Sequence, residues 1–130
     1  MLNIVKHIKA NEKEYPIAFT LNVMELIQEK YGNMKKWGEV LQPTGEEPKI
    51  KDIKWTFKEF INEGIDIENE ERNENRSFVT EKQVGRIISS IGMSEITSVM
   101  QNLTVDSMKT DDLKNLQTTQ KTEINQEKLA

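Results

Sequence analysis

The sequence predicts a mainly α-helical small domain with an N-terminal β-hairpin and a flexible polar C-terminal tail. Three observations lead to this prediction. Apolar residues recur at helical spacing over most of residues 22–103, two short strand-like segments precede them, and residues 104–130 are mostly polar. The chain is therefore divided into a helical domain with its hairpin, residues 1–103, and a tail, residues 104–130.

The hairpin is predicted from two segments near the amino terminus. Residues 2–9 are rich in β-branched side chains, and apolar side chains alternate over residues 15–20. The polar residues 11–14 form the predicted turn. Because Pro16 has no backbone donor, we expect its strand to lie at an edge. The single histidine, His7, falls on the first strand, where we expect a partly exposed side chain without a chemical role.

Three helices are predicted in the next part of the chain. The first begins at Asn22, which has a glutamate three residues later as in a capping box, and it ends at Gly32. A short second helix precedes Pro43, and the third runs from about residue 49 to residue 64. The predicted buried side chains of these helices are Val23, Leu26, Ile27, Tyr31, Met34, Trp37, Leu41, Ile50, Ile53, Phe57, Phe60 and Ile61.

Two more helices follow a charged stretch, residues 66–76, which is predicted to be a solvated loop. This stretch lacks the glycine and the glutamate that a calcium loop places at its sixth and twelfth positions. A capping box at Thr80 opens the fourth helix, and Ser94 is the predicted cap of the fifth. Their apolar side chains recur at helical spacing: Val84, Ile87, Ile88, Ile91, Ile96, Val99, Met100 and Leu103.

The tail cannot form a core of its own. Ordering a residue costs about 1–2 kcal/mol, and residues 104–130 carry too few large apolar side chains to offset that cost. We therefore expect the tail alone to be disordered or a frayed helix, and to become ordered on a partner protein with Leu113 and Leu116 as its anchors.

Composition argues against most kinds of chemistry. The chain has no cysteine and one histidine, and it contains no phosphate-binding or dinucleotide-binding glycine motif. We therefore predict that it is not an enzyme and that it holds no cofactor and no metal ion. The sequence instead predicts a protein that binds other proteins.

Charge and hydropathy argue against nucleic-acid and membrane partners. The net charge is −4, no basic stretch is present, and the last predicted helix offers no Lys or Arg for a helix-turn-helix contact to DNA. No segment approaches the ~20 apolar residues needed to span a bilayer, and no signal peptide is evident. A cytoplasmic location follows as the expectation, while homo-oligomer formation is left open.

Trp55 is the candidate contact residue within the helical domain. It lies nearly opposite the predicted buried stripe of the third helix, and an exposed tryptophan is a favoured interface anchor. The alternative is that a neighbouring helix or the hairpin covers it. Trp37, which shares a stripe with Met34 and Leu41, is predicted to lie in the core.

Three stretches resemble the tail assembly chaperones of long-tailed phages and prophages of Gram-positive bacteria. They are Glu14–Asn22 with the helix ending at Glu29–Gly32, then Phe60–Ile65, and finally Phe78–Ile88. Together they span roughly residues 10–92. The resemblance lies in the kinds of residues along each stretch and in the order of the stretches, since this family has no catalytic signature.

The resemblance implies a small, helical, non-enzymatic protein. Members of the family bind the tape-measure protein and help the tail-tube protein to polymerise around it, and they are absent from the finished virion. Many also exist in a longer form made by ribosomal frameshifting, which would join the domain here through residues 104–130. The alternative is a helical structural or connector protein that stays in the phage particle.

Overall fold

The computed structural model describes residues 4–108 and confirms the predicted fold class. Within this range the chain forms a two-stranded antiparallel hairpin followed by five helices. The elements are β1 Lys6–Ala10, β2 Lys13–Ile17, α1 Leu21–Tyr31, α2 Met34–Leu41, α3 Ile50–Arg72, α4 Glu81–Ile91 and α5 Met93–Ser107. The predicted anchors Leu113 and Leu116 lie outside the described residues.

The hairpin turns through two residues, fewer than the sequence suggests. Asn11 and Glu12 have positive φ angles of 52° and 69°, as a tight hairpin turn requires, and Ala10 pairs with Lys13 across the turn. His7 lies on β1, where it pairs with Pro16 of β2. These pairings set which backbone groups of the hairpin face outward.

The third helix is longer than predicted and lies at the centre of the fold. It continues past Gly64 to Arg72, so the prediction of a loop is wrong over residues 66–72. The reason is that Ile65 and Glu68 extend its buried face. The buried residues of α3 are Ile53, Thr56, Phe57, Phe60, Ile61, Gly64, Ile65 and Glu68.

A glycine lets α3 approach the hairpin closely. A Cβ atom on Gly64 would lie 2.6 Å from the carbonyl carbon of Pro16, a distance that non-bonded atoms do not tolerate. One turn earlier, the backbone oxygen of Phe60 accepts a hydrogen bond of 3.0 Å from the backbone N–H of Ala18. The backbone of α3 therefore packs directly on the end of β2.

Two helices begin at different caps from those predicted. Thr20, not Asn22, caps α1, because the Thr20 hydroxyl accepts a hydrogen bond from the Asn22 backbone while the Asn22 side chain donates to Glu63. Gly92, not Ser94, precedes α5. The capping box of α4 is confirmed, with reciprocal bonds between Thr80 and its partner three residues later.

Burial differs from the predicted stripes at a few positions. Ile50 opens α3 and is 63% exposed, and Leu26 of α1 is also exposed, so placing them in the core was wrong. Trp37 is buried as predicted, and its indole N–H donates a bond of 3.1 Å to the hydroxyl of Thr56. At the other end of the domain α5 continues to Ser107, so the first residues assigned to the tail are helical.

Two asparagines of α3 hold the segment that leads to α4. The Asn69 side chain accepts from the backbone N–H of Arg76 and donates to the backbone oxygen of the same residue, both at 3.0 Å. The Asn62 side chain makes the same two bonds with the backbone of Val79, accepting at 2.8 Å and donating at 3.2 Å. Each amide thus satisfies both backbone groups of one residue, as a neighbouring strand would.

Within residues 4–108, no helix combines the length and the apolar content needed to cross a bilayer.

Candidate protein-binding surfaces

An apolar groove between α2 and α5 is the first candidate surface. Its apolar side chains are Trp37, Leu41, Met100 and Val105, and its remaining lining is neutral, with no charged residue. The groove has a volume of about 350 Å³, within the roughly 300–1,000 Å³ of typical ligand sites. Val105, an apolar residue of α5 on the rim, is 58% exposed. Such a surface suits the apolar face of another protein segment.

Trp55 lies against α1 and is only partly exposed. Its ring meets Tyr31 edge to face at 5.7 Å between centroids, and the Lys30 ammonium lies 4.8 Å from the centroid of the indole. A helix therefore covers part of the face, which was one of the two expected arrangements. A role for Trp55 in partner binding stays a prediction.

The hydroxyl of Tyr31 fixes this aromatic pair to α3. It donates a hydrogen bond of 2.8 Å to the carboxylate of Asp52. Burial raises the pKa of the Tyr31 hydroxyl well above its usual value, and the hydrogen bond to Asp52 and the negative charge of Asp52 raise it further. The hydroxyl thus stays protonated and keeps donating throughout the physiological range.

Phe78 is a candidate contact residue that the sequence analysis did not single out. It is 55% exposed, although it lies between Arg76 and Val79, whose backbones are held by α3. A signal was present in the sequence. Val79 directly precedes the cap Thr80, and a side chain at the position before a cap typically packs on the helix. The preceding side chain, Phe78, is therefore free to face solvent. An aromatic ring on a fixed backbone is a favourable interface anchor.

A buried carboxylate forms the most charged cluster of the molecule's described part. The side chain of Glu68 is 4% exposed, and its oxygens lie 2.7 Å from His7 Nε2, 3.2 Å from Arg72 and 3.5 Å from Arg76. Each of the three partners is itself partly exposed. The cluster joins β1, α3 and the following segment, and its partners already satisfy the carboxylate. We therefore assign it a structural role.

The described residues show no metal centre. Between residues 4 and 108, no three or more acidic or histidine side chains are grouped so that they could hold a metal ion. Among these residues, no buried side-chain nitrogen or oxygen lacks a hydrogen-bond partner either.

Comparison with known proteins adds no relative. No family model matches the chain, and neither a curated protein nor a solved structure matches it.

Proposed function

We propose that this protein is a phage or prophage tail assembly chaperone, a non-enzymatic protein that binds the tape-measure protein and assists assembly of the tail tube. The resemblance of three stretches within residues 10–92 to that family carries the proposal. In this proposal the protein acts in the cytoplasm of the bacterial host and is absent from the mature virion.

The positions of the resembling stretches support the proposal. They are distant in sequence, yet they meet at the middle of α3. Phe60 bonds to Ala18, Asn62 bonds to Val79, and Gly64 packs on the backbone of Pro16. Residues that hold a fold together are the ones that distant relatives have most reason to share.

The available surfaces suit a client that is bound and later released. The groove between α2 and α5 offers an apolar wall with Val105 on its rim, and Trp55 is a second partly exposed anchor. Leu113 and Leu116, which lie outside the described residues, are further proposed contacts. A segment that becomes ordered on binding lowers the affinity, which favours release as the tail grows.

Co-expression with a tape-measure protein encoded just downstream, the gene order that the resemblance implies, tests the proposal. We expect the tape-measure protein to become soluble and to be recovered with a tagged copy of this chain. An insoluble tape-measure protein, both with this chain and with any longer frameshifted form, would contradict the proposal. Detection of the chain in purified virions would instead favour the structural or connector protein.

Three variants locate the contact surface. We expect Val105→Asp and a chain ending at residue 108 each to reduce recovery of the complex, and Trp55→Ala to reduce it less. Ile50→Asp is the matched control for Val105→Asp, because it also places a carboxylate at an exposed apolar position of a helix. Equal losses from Val105→Asp and Ile50→Asp would exclude the groove as the client site.

A further inference from the structure

Helices α3 and α4 pack side by side in opposite directions. The Lys58 ammonium lies 3.6 Å from the carboxylate of Glu81 at the start of α4, and one turn earlier along α3 the side chain of Lys54 lies against Gly85. A Cβ atom on Gly85 would lie 3.6 Å from the Lys54 ammonium nitrogen. The charged end of Lys54 therefore reaches across to the backbone of α4.

Three further basic residues flank this contact. Lys82 and Arg86 lie on either side of Gly85 along α4, and both are exposed. Because residues four apart lie on one face of a helix, their side chains project from the same face. Lys51, also exposed, lies three residues before Lys54 on α3 and projects from the same side as Lys54. We call these four residues the basic patch: Lys51, Lys54, Lys82 and Arg86.

Carboxylates of the described chain do not neutralise the basic patch. Within residues 4–108, none of its four side chains forms an ion pair. The adjoining carboxylates of α3 and α4 have other partners. Glu59 and Glu81 each lie 3.6 Å from the Lys58 ammonium, and Asp52 accepts the hydrogen bond from Tyr31 of α1. A concentrated positive charge thus remains on a protein whose net charge is −4.

The stability of the helices does not explain this arrangement. Like charges three or four residues apart destabilise a helix, and Lys51–Lys54 and Lys82–Arg86 are pairs of this kind. Lys51 also lies in the first turn of α3, at the positive end of the helix dipole, where a cation is unfavourable. Proteins break such local rules chiefly at functional sites. The pattern therefore indicates an anionic partner.

Trp55 gives the basic patch an apolar neighbour. It lies four residues after Lys51 on the same side of α3, and its ring is partly exposed. The Lys30 ammonium of α1 lies 4.8 Å from the centroid of the indole and adds a further positive charge on this side. A bound partner can therefore place an apolar side chain beside its carboxylates.

The extent of the basic patch favours an acidic protein segment over nucleic acid. Since Lys54 lies beside Gly85, the four residues fall within about 10 Å along the two helices. Farther along α3 the exposed residues are acidic, at Asp66 and Glu70. A nucleic-acid strand carries a negative charge about every 3.4 Å and would continue onto these carboxylates. Two or three carboxylates of a short protein segment fit within the patch.

We propose that the basic patch between α3 and α4 is a docking site for a short acidic segment of a partner protein, one that carries an apolar residue among its carboxylates. The carboxylates pair with the four basic side chains, and the apolar residue packs beside Trp55. Since Lys54 already rests on the backbone of α4, less of its freedom is lost on binding. This inference is independent of the chaperone proposal, because it concerns no particular client.

Binding of a model peptide to the full chain tests the inference. The probe is a capped ten-residue peptide with three glutamates and one leucine among serine and glycine, and its control has glutamine in place of each glutamate. In NMR titrations we expect shifts in the amides of residues 51–58 and 82–86 and in the indole N–H of Trp55, with none in the hairpin. The glutamine peptide should bind at least about five-fold more weakly.

Two double variants with the same change in net charge locate the site. Lys54→Gln combined with Lys82→Gln is expected to weaken binding of the glutamate peptide by about five-fold or more, because it removes half of the basic patch. Lys6→Gln combined with Lys9→Gln, at exposed positions of β1, is the control and should change binding by less than about two-fold.

Thermal unfolding separates docking from a structural role. Lys82→Gln removes one member of a like-charged pair, so its unfolding midpoint should equal or exceed that of the unchanged protein, although it binds the peptide more weakly. A lower midpoint would show that the Lys82 charge serves the fold, and it would contradict the role assigned to it.

Three binding results would overturn the inference. The first is an equal loss from the two double variants, since only the net charge of the protein would then matter. The second is equal binding of the glutamate and glutamine peptides. The third is tighter binding at the basic patch by a thymidine tetranucleotide, whose three phosphates match the charge of the peptide, since nucleic acid would then be the preferred partner.

Discussion

The two halves of α3 are held in the fold by different forces. The first half, Ile50–Gly64, is fixed by apolar burial, with Phe57 and Phe60 fully enclosed. The second half, Ile65–Arg72, buries a single large apolar side chain, and it depends on the carboxylate of Glu68 and on the amide of Asn69. A helix of uniform geometry thus passes from an apolar to a polar environment.

This difference shows how a strongly charged segment can remain helical. Burying a charge is costly unless it is paired and hydrogen-bonded. Around Glu68 one cation comes from the same helix and one from the segment after it, and β1 adds the imidazole of His7. The second half therefore relies on polar partners, one of which, His7, lies far away in sequence, while the first half relies on its own periodic stripe.

Removing a buried ring from the first half should have the largest effect. Phe60→Ala is expected to lower the free energy of unfolding by about 3–5 kcal/mol, because it leaves a cavity at the centre of the domain. Chemical denaturation measures this change. The matched control is Ile50→Ala in the same half, where 63% exposure limits the expected change to about 0.5 kcal/mol. Similar losses for the two variants would refute the assignment of apolar burial to the first half.

Adding one methyl group at the junction of the halves should be nearly as damaging. Gly64→Ala is expected to cost about 3 kcal/mol, the upper end for overpacking, since the atoms it meets belong to the backbone of Pro16 and cannot rotate away. Thermal or chemical unfolding measures the loss. Gly38→Ala in α2 is the control, because its Cβ meets no atom within 4 Å and should stabilise the protein by about 0.5–1 kcal/mol. A neutral Gly64→Ala would show that α3 does not need this close approach.

Within α3, removing the buried carboxylate should affect the second half and not the first. Glu68→Ala is expected to cost about 2 kcal/mol. The loss is moderate because the cations left behind can turn to water, Arg72 being 55% exposed. Amide exchange should accelerate over residues 65–72 and remain slow around Phe57. Glu70→Ala, at an exposed position of the same helix, should leave both unchanged. Uniform acceleration along α3 would mean that its two halves are not held separately.

The smallest expected effect is on stability at alkaline pH, and it involves Tyr31, which bonds to Asp52 in the first half of α3. Since the folded state raises the pKa of Tyr31 above the usual 10.0, the folded protein holds the phenolic proton more tightly than the unfolded chain does. The stability that this tighter proton binding contributes is complete below pH 10 and declines as the pH rises further. Tyr31→Phe should therefore reduce the fall in unfolding free energy between about pH 10 and pH 11, as measured by urea denaturation. Identical pH profiles for the two proteins would contradict this.

Sequence periodicity predicted the parts of the fold that are stabilised locally. The hairpin, the capping box at Thr80 and the burial of Trp37 all follow from short-range patterns. The extension of α3 to Arg72 was missed, because His7 and Arg76 meet Glu68 only after the chain has folded, although Arg72 stands four residues after Glu68 in the same helix. The Thr20 cap was missed for a similar reason, since the competing side chain of Asn22 is drawn to Glu63.

The candidate surfaces were less predictable than the fold. Trp55 is partly buried and packs against the core cluster, and its contact with Tyr31 depends on how α1 crosses α3. The groove between α2 and α5 joins residues about sixty positions apart and has no signature in either helix alone. Such surfaces arise from the way in which elements pack.

The two asparagine contacts of α3 match the length of the segment between α3 and α4. Asn62 and Asn69 lie two helical turns apart, about 10 Å along the axis, and their partners Val79 and Arg76 are separated by about 10 Å of extended chain. The two spacings agree, so an extended segment of this length fills both amides. A single inserted residue between Arg76 and Val79 would put the second contact out of step by about 3.4 Å. The spacing of the two asparagines along α3 thus helps to set the position at which α4 begins.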